Sequence, residues 1–211
     1  MPPSALETAE IPPELQRKEA DLHAALRARG RLLVAFSGGV DSSYLAFAAR
    51  EALGDQALAV TAVSPSYPES HRKVAEDVVR RFDIAHRFVD THEMDREDYR
   101  ANRPDRCYFC KTELFEVLGK VCVDEGYDAV AYGVNTDDQG DFRPGHRAAQ
   151  EHEVLSPFLD VALSKQEIRA LSRKAGLPTA EMPASACLAS RLPYGTKVTP
   201  ERLKQVEQGE D

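Results

Sequence analysis

The feature that most constrains the fold is an apolar run that leads through a loop of small residues into a helical pattern. Residues 32–36 are apolar, residues 37–39 are Ser-Gly-Gly, and apolar residues then recur at helical spacing from Tyr44 to Leu53. Such a loop lets the backbone approach a ligand closely, and the N–H groups that begin the next helix point at that ligand. The segment therefore predicts a strand, an anion-binding loop and a helix in succession.

The loop and the first helical turn offer groups that can bind the phosphates of a ligand. Three hydroxyls can donate to phosphate, two glycines leave their N–H groups unshielded, and one carboxylate can hold a magnesium ion that also binds phosphate oxygens. These phosphate-binding candidates are Ser37, Gly38, Gly39, Asp41 (also the candidate Mg²⁺ ligand), Ser42 and Ser43. The pattern is neither a Walker A loop nor a dinucleotide-binding loop. The alternative is an ordinary turn between a strand and a helix.

Strand-like and helix-like stretches alternate along the chain. Strands are predicted at residues 32–36, 57–63, 85–89, 128–132 and 154–158, and helices at 12–29, 44–54, 69–82, 108–125 and 164–175. Residues 90–106 and 133–150 have no clear period and are predicted as long loops. The fold class is therefore α/β, a doubly wound, mostly parallel sheet of about five strands with helices on both faces. Ligands of such sheets bind at the carboxyl ends of the strands.

The end of the chain carries two further helix signals. Ser164 is expected to cap the helix at 164–175 in a capping box with Glu167, and another helix is expected to begin after Pro200. We expect one main domain over residues 1–185, including its N-terminal helix. Residues 186–211 are expected to start a C-terminal segment that is truncated here.

Charge and hydropathy argue against several classes of protein. With 35 acidic and 27 basic side chains the net charge is −8, which argues against a nucleic-acid partner. No stretch reaches the roughly 18 uninterrupted apolar residues of a membrane span. The first residues also lack the basic and apolar blocks of a signal peptide. We therefore expect no membrane partner and a cytoplasmic location.

Three of the four cysteines are candidates for chemistry. Cys107 and Cys110 lie at the start of a predicted helix, whose dipole is expected to lower their pKa. Cys187 lies in a segment typical of a loop, whereas Cys122 has apolar neighbours and is predicted as a core thiol. The Cys-x-x-Cys pair alone fits a redox dithiol, half of a zinc site or two core cysteines. Three thiolates could hold a 4Fe-4S cluster with one open iron, or zinc with a fourth ligand.

Five segments carry a narrower signal. They are residues 37–43 (SGGVDSS), 103–111 (RPDRCYFCK), 132–138 (YGVNTDD), 141–145 (DFRPG) and 186–191 (ACLASR). Together they resemble the LarE family of ATP-dependent sulfur transferases, within the PP-loop ATP pyrophosphatase superfamily. The resemblance covers about residues 15–210. Many ATP pyrophosphatases share the first segment, but the segment that contains Cys187 is much more restricted.

The resemblance implies a place in the biosynthesis of the nickel pincer nucleotide cofactor of lactate racemase. A carboxylate of a pyridinium biscarboxylate mononucleotide would be adenylylated, and sulfur would then displace AMP to give a thiocarboxylate. In the family, the position of Cys187 either surrenders its own sulfur or joins a Cys-x-x-Cys pair around a 4Fe-4S cluster. Because Cys107 and Cys110 are both present, the resemblance favours the cluster.

Further site residues follow from their places in these segments. The implied catalytic residues are Asp41, Lys111, Cys187 and Arg191, and Arg106 and Arg143 are further candidate cations. Adenine is expected near residues 61–64, at Ala62, and Gly133 and Asn135 are expected to contact the nucleotide. Asp137 could also touch the nucleotide or metal, although Asn and Asp after a strand are most often turn residues.

The resemblance also implies partners. These are a small nucleotide substrate, other proteins of nickel pincer nucleotide biosynthesis, and further copies of the chain in a homo-oligomer. Rival functions are a cluster-dependent tRNA thiolase, an ammonia-using PP-loop synthetase, and a nucleotide-binding module without turnover. The net charge of −8 argues against the first, and the three loop-associated cysteines argue against the second.

Overall fold

The computed structural model describes residues 11–139, 144–184 and 186–210. Its helices and strands, in chain order, are α1 (Pro13–Arg27), β1 (Leu32–Ala35), α2 (Val40–Leu53), β2 (Ala57–Val63), α3 (Glu69–Arg81), β3 (His86–Asp90), α4 (Glu97–Arg100), α5 (Arg106–Asp124), β4 (Ala129–Tyr132), α6 (Pro144–Glu151), α7 (Pro157–Asp160), α8 (Lys165–Lys174) and α9 (Pro200–Glu210). Short 3-10 helices cover Gly54–Gln56, Glu93–Asp95, Thr136–Asp138 and Leu188–Arg191.

The four strands form one parallel sheet in the order β3-β2-β1-β4. Leu33 of β1 pairs with Leu58 of β2 on one side and with Val130 of β4 on the other. All residues of the central strand β1 are buried, as expected for a parallel sheet covered on both faces. The predicted α/β class is confirmed.

Successive residues of β1 pack into different apolar layers. Leu32 and Val34 lie in one cluster with residues of α1, α2 and α8, and Leu33 and Ala35 lie in another with residues of α5 and α6. This period of two is the geometry of a strand, and it places helices on both sides of the sheet. The strand ends are thereby held in one rigid edge, from which the loop after β1 emerges.

A third, smaller cluster packs the end of the chain against α4 and the start of α5. Its buried members include Tyr99, Leu188, Val198 and Leu203. Cys110 and Cys187 are partly buried at its margin. The cluster thus brings residues 187–203 to the Cys-x-x-Cys pair.

The predicted fifth strand at residues 154–158 is wrong. Only a single bridge forms there, between Ala131 and Leu155, with the Leu155 N–H donating to the Val130 carbonyl at 2.8 Å. Pro157 then opens α7. Because proline has no N–H to donate to a sheet and fixes φ near helical values, the pairing ends after one residue and the sheet has four strands.

The two predicted long loops both contain helices. The 4-residue helix α4 lies within residues 90–106, and all but the last residue of the 8-residue helix α6 lies within residues 133–150. Helices this short complete too few turns to show a helical period in the sequence. The prediction of unstructured loops is therefore wrong in both places.

Other local predictions are confirmed. Ser164 caps α8, and its side chain and that of Glu167 form the predicted capping box. The last helix begins at Pro200. Among the helices in the described ranges, none is both long and apolar enough to cross a membrane.

Candidate functional site

The loop between β1 and α2 is compact, and its backbone and hydroxyl groups are hydrogen-bonded to one another. Gly38 has a φ of +79°, and a Cβ there would lie 3.1 Å from the His71 carbonyl oxygen. The Ser42 hydroxyl lies 3.2 Å from the Ser37 nitrogen and 3.1 Å from the Ser37 hydroxyl, and it donates to the Gly39 carbonyl. Ser42, in the first turn of α2, is therefore hydrogen-bonded to the loop. The backbone N–H groups of the loop and of the helix start are held close together.

Ser43 differs from the other loop hydroxyls. It is fully buried, and its hydroxyl has no hydrogen-bond partner among the described residues. Its role as a phosphate donor stays a prediction. Ser37 and Ser42, in contrast, already lie within hydrogen-bond distance of each other at the mouth of the loop.

Asp41 lies between two side chains from distant parts of the chain. Its Oδ1 accepts from the Asn135 amide at 3.3 Å, and its Oδ2 accepts from the Lys165 ammonium at 2.5 Å. The side chains of Asp41 and Lys165 are 21% and 28% exposed. A cation thus already accompanies the carboxylate that was predicted to hold magnesium.

Lys165 is the functional candidate that sequence reasoning missed. It is the first residue of α8, and it is 124 positions from Asp41. The capping box of Ser164 and Glu167 marked the start of this helix, but periodicity gives no pairing over such a distance. The signal that could have found it is a lysine at a helix start beside a predicted strand end.

The end of β4 is shaped by its contact with the start of α2. A Cβ on Gly133 would lie 3.0 Å from the carbonyl carbon of Asp41, so a larger residue there would have to displace the backbone at the start of α2. Asn135 is buried, and its side chain accepts from the Asp137 N–H. Asp137 in turn accepts from the Lys165 backbone N–H at 3.1 Å. These contacts join the segment after β4 and the start of α8 to the start of α2, beside the loop that follows β1.

The end of β2, where adenine was expected, carries a hydroxyl and aromatic lining. Ala62 is half-buried and pairs with Val89 of β3. Thr61 lies 2.8 Å from His86 Nε2, and burial lowers the pKa of His86 to about 4. Tyr67 donates its hydroxyl to the Ser37 carbonyl at 3.1 Å. The segment after β2 thus touches the loop directly.

The same segment also holds the cysteine-bearing end of the chain. The Leu188 N–H donates to the Ser66 carbonyl at 3.0 Å. The hydroxyls of Ser64 and Ser66 donate to one oxygen of Glu93 at 2.5 and 3.0 Å, and Glu93 is 2% exposed. The chain from residue 64 to 67 therefore contacts both the loop after β1 and the residue that follows Cys187.

The three candidate thiols lie near one another but in different environments. Cys107 is exposed, whereas burial raises the pKa of Cys110 to about 12, with smaller contributions from Glu93 and Cys187. The predicted lowering of the pKa is therefore wrong for Cys110, because desolvation and nearby negative charge outweigh the helix dipole. Cys187 lies 3.3 Å from the Ser190 hydroxyl.

Cys122 stays apart from the other three. It packs at the margin of the α5–α6 apolar cluster, and its sulfur donates to the Tyr127 carbonyl at 3.2 Å. It is partly buried among apolar neighbours, at the edge of a core cluster and not inside it. In the described ranges, no three His, Cys, Asp or Glu side chains are grouped closely enough to hold one metal ion.

The candidate cations are engaged with the protein. Arg191 donates to the carbonyls of Ala186 and Cys187 and pairs with Glu210 at 2.6 Å. Lys111 lies over the Phe115 ring, with its nitrogen 5.7 Å from the ring centroid.

Two more candidate cations complete the set. Arg106 is 3% exposed, which removes it from contact with a substrate. Arg143 lies outside the described residues. The catalytic roles of Lys111 and Arg191 stay predictions.

Comparison with known proteins gives matches that cover the loop. The family model for asparagine synthase matches residues 19–116. An uncharacterized protein of Synechocystis sp. is 42% identical over 196 residues, which are 93% of this chain and 73% of that protein. The pyridinium-3,5-bisthiocarboxylic acid mononucleotide synthase of Lactiplantibacillus plantarum is 31% identical over 193 residues, 91% of this chain and 70% of that protein. Argininosuccinate synthase of Pyrococcus furiosus is 26% identical over 165 residues, 72% of this chain and 40% of that protein.

Proposed function

Because the chain belongs to the LarE family of PP-loop sulfur transferases, we propose that it makes a thiocarboxylate from a pyridinium biscarboxylate mononucleotide. Family membership makes it an ATP-dependent sulfur transferase. The substrate and the pathway, biosynthesis of the nickel pincer nucleotide, are inferred from the relative in Lactiplantibacillus plantarum, whose name states that product.

One observation carries the proposal. Residues 64–67 contact the phosphate-binding loop through Tyr67 and Ser37, and contact the segment of Cys187 through Ser66 and Leu188. A reaction that first uses ATP and then transfers sulfur needs both groups within reach of one substrate. A nucleotide-binding module without turnover would need no thiol beside the loop.

In the first step, a carboxylate oxygen of the substrate attacks the α-phosphorus of ATP. The bond between the α-phosphorus and the bridging oxygen breaks, and pyrophosphate leaves with that electron pair. Asp41 would hold the magnesium ion that accompanies the phosphates, since hard oxygen ligands suit it. Lys165 would help to neutralise the negative charge that develops on pyrophosphate, because its ammonium lies 2.5 Å from the carboxylate that would hold the magnesium ion.

In the second step, sulfur attacks the acyl carbon, the bond to AMP breaks, and AMP leaves with the electron pair. In the sacrificial version the sulfur is that of Cys187. Its bond to Cβ must then break with loss of the Cα proton, which leaves dehydroalanine. In the cluster version, Cys107, Cys110 and Cys187 would hold a 4Fe-4S cluster, the attacking sulfur would be an added sulfide, and Cys187 would remain intact.

The thiols suit the cluster by their chemistry. Three soft sulfur donors lie near one another, and Cys107 is exposed on one side. When bound, the cluster would supply an open iron for an added sulfide.

The proposal extends to the setting of the protein. We place it in the cytoplasm as a homo-oligomer that acts with other proteins of nickel pincer nucleotide biosynthesis. Its ligand is a small nucleotide, and the net charge of −8 disfavours tRNA. The oligomeric state is measurable by light scattering on the purified chain.

The function is tested by supplying ATP, Mg²⁺ and one of three acceptors to protein reconstituted without oxygen. The acceptors are the pyridinium biscarboxylate mononucleotide, unmodified tRNA, and ammonia with a carboxylate. Mass spectrometry of the first should reveal a thiocarboxylate. Thiolated tRNA, or an amide formed from ammonia, would replace the proposal by the corresponding rival.

Two cysteine variants separate the two sulfur sources. Cys187→Ala should abolish thiocarboxylate formation in both versions, whereas Cys107→Ala should abolish it only in the cluster version. Cys122→Ala is the matched control, because that thiol lies in a different apolar cluster. Full activity of Cys107→Ala would rule out the cluster version and leave the sacrificial one.

A further inference from the structure

The guanidinium of Arg106 lies inside the protein and binds two chain segments at once. Arg106 is 3% exposed. It donates to Asn102 Oδ1 at 2.5 Å, to the Ala189 carbonyl at 2.7 Å and to the Ser190 hydroxyl at 3.0 Å. Arg106 also begins α5 and immediately precedes Cys107. One side chain is therefore fixed to both cysteine-bearing segments.

Asn102 binds the next part of the same C-terminal segment. It is fully buried, and its amide donates to the carbonyls of Pro193 and Thr196 at 2.9 and 3.0 Å. Its backbone carbonyl accepts from the Gly195 N–H at 2.9 Å. Asn102 has a φ of +51°, a conformation that asparagine tolerates better than most residues. Its contacts hold residues 193–196 while those of Arg106 hold residues 189 and 190.

We propose that Asn102 and Arg106 form a clamp that sets the position of Cys187 relative to Cys107 and Cys110, with Arg106 as the positioning residue. The clamp acts through Ser190, whose hydroxyl lies 3.3 Å from the Cys187 sulfur. Because the Ser190 oxygen accepts from Arg106, its own hydrogen is free to point at that sulfur. The importance of the clamp for catalysis rests on the proposed function of the three thiols.

Arginine suits this position better than any other side chain. Its planar fork presents five N–H donors and reaches three acceptors in different directions at the same time. A lysine carries its donors at a single nitrogen, so it cannot satisfy all three acceptors. Arg106→Lys therefore keeps the charge but releases part of the clamp.

The clamp is tested first without any substrate, by hydrogen exchange of backbone amides. Arg106→Lys should raise exchange in residues 187–198 roughly tenfold or more, since hydrogen bonds to a charged group are lost there. Exchange in β1 and α2 should stay at the wild-type rate. Arg103→Lys is the matched control, because Arg103 lies three positions earlier with a side chain that is 66% exposed.

A second variant keeps the test decisive if Arg106→Lys does not fold. Ser190 is exposed, so Ser190→Ala should preserve the fold while removing one acceptor of Arg106. Exchange should then rise several-fold in residues 187–192 and stay unchanged in residues 195–198, which Asn102 still holds. Wild-type exchange in residues 187–192 of Ser190→Ala would overturn the proposal.

Kinetics distinguish positioning from simple stabilisation. For Arg106→Lys, the kcat of sulfur transfer should fall about tenfold or more, while the KM for ATP and substrate-dependent pyrophosphate exchange stay at wild-type values. Equal losses in both reactions would reduce Arg106 to a stabilising residue and refute its positioning role. If the wild type transfers no sulfur, the proposed function fails, but the exchange experiment still decides whether the clamp exists.

Discussion

Replacing each loop glycine by alanine should separate two roles that the sequence could not distinguish. Gly38 has a φ of +79°, and a Cβ on it would lie 3.1 Å from the His71 carbonyl oxygen and 3.3 Å from the Ala75 Cβ. Gly39 has φ −78° and ψ 167°, which any residue adopts, and a Cβ there meets only the Ser37 hydroxyl at 3.6 Å. Of these two loop glycines, only Gly38 is therefore restricted to glycine by its backbone angle and its contacts within the protein.

The two substitutions should differ clearly in the free energy of unfolding. At Gly38, the positive φ costs roughly 1–2 kcal/mol and contact with the backbone of α3 adds about 1 kcal/mol, so Gly38→Ala should lose roughly 2–3 kcal/mol. At Gly39, alanine should stabilise slightly, by about 0.5 kcal/mol, because it restricts the unfolded chain. The phosphate approach, however, needs the space that the new Cβ of Gly39→Ala would fill.

Urea unfolding and ATP titration calorimetry measure the two effects separately. Gly39→Ala should be slightly more stable than wild type but should bind ATP about tenfold more weakly or worse. Gly38→Ala should unfold at lower urea concentration. Wild-type stability of Gly38→Ala would refute the packing argument, and wild-type ATP affinity of Gly39→Ala would refute the assignment of this loop to phosphate.

Three further outcomes follow from single contacts. Lys165→Met should change the free energy of unfolding by only about 1 kcal/mol, because the ion pair of Lys165 with Asp41 is partly exposed. It should nevertheless slow pyrophosphate release at least about tenfold, as measured by initial rates. Tyr67→Phe should raise the KM for ATP about fivefold with little change in kcat, since one hydrogen bond to the loop is lost. Burial lowers the pKa of His86 from 6.5 to about 4, so the unfolded chain takes up its proton first. Stability should therefore fall as the pH drops from 6.5 toward 4, and urea midpoints of His86→Gln should fall less over that range.

The strands and the loop could be predicted because their signals are local. The second strand matches residues 57–63 at both ends, and the capping box of Ser164 and Glu167 was visible within four residues. The failed strand at 154–158 contains a proline whose effect on pairing outweighed its apolar character. Local sequence patterns thus predict strands and helix caps correctly unless a single residue, such as a proline, prevents the backbone from pairing.

The site itself depends on contacts that sequence spacing does not encode. Lys165 meets Asp41 only because the fold brings the start of α8 to the start of α2, 124 positions earlier in the chain. Arg106 was expected to face a substrate, but it is buried under residues 189 and 190. The pKa of Cys110 is likewise raised first by burial and then by Glu93, which lies in another segment, and both arise only in the fold. The sequence shows which side chains are charged, but only the fold shows which groups they contact.

The most direct test of the central claim is to identify what ATP becomes. The purified protein, reconstituted without oxygen, is incubated with ATP, Mg²⁺ and the pyridinium biscarboxylate mononucleotide, and the nucleotides are separated by chromatography. An adenylylating sulfur transferase should produce AMP and pyrophosphate in equal amounts, and only when the acceptor is present. ADP and inorganic phosphate as the products would contradict the account.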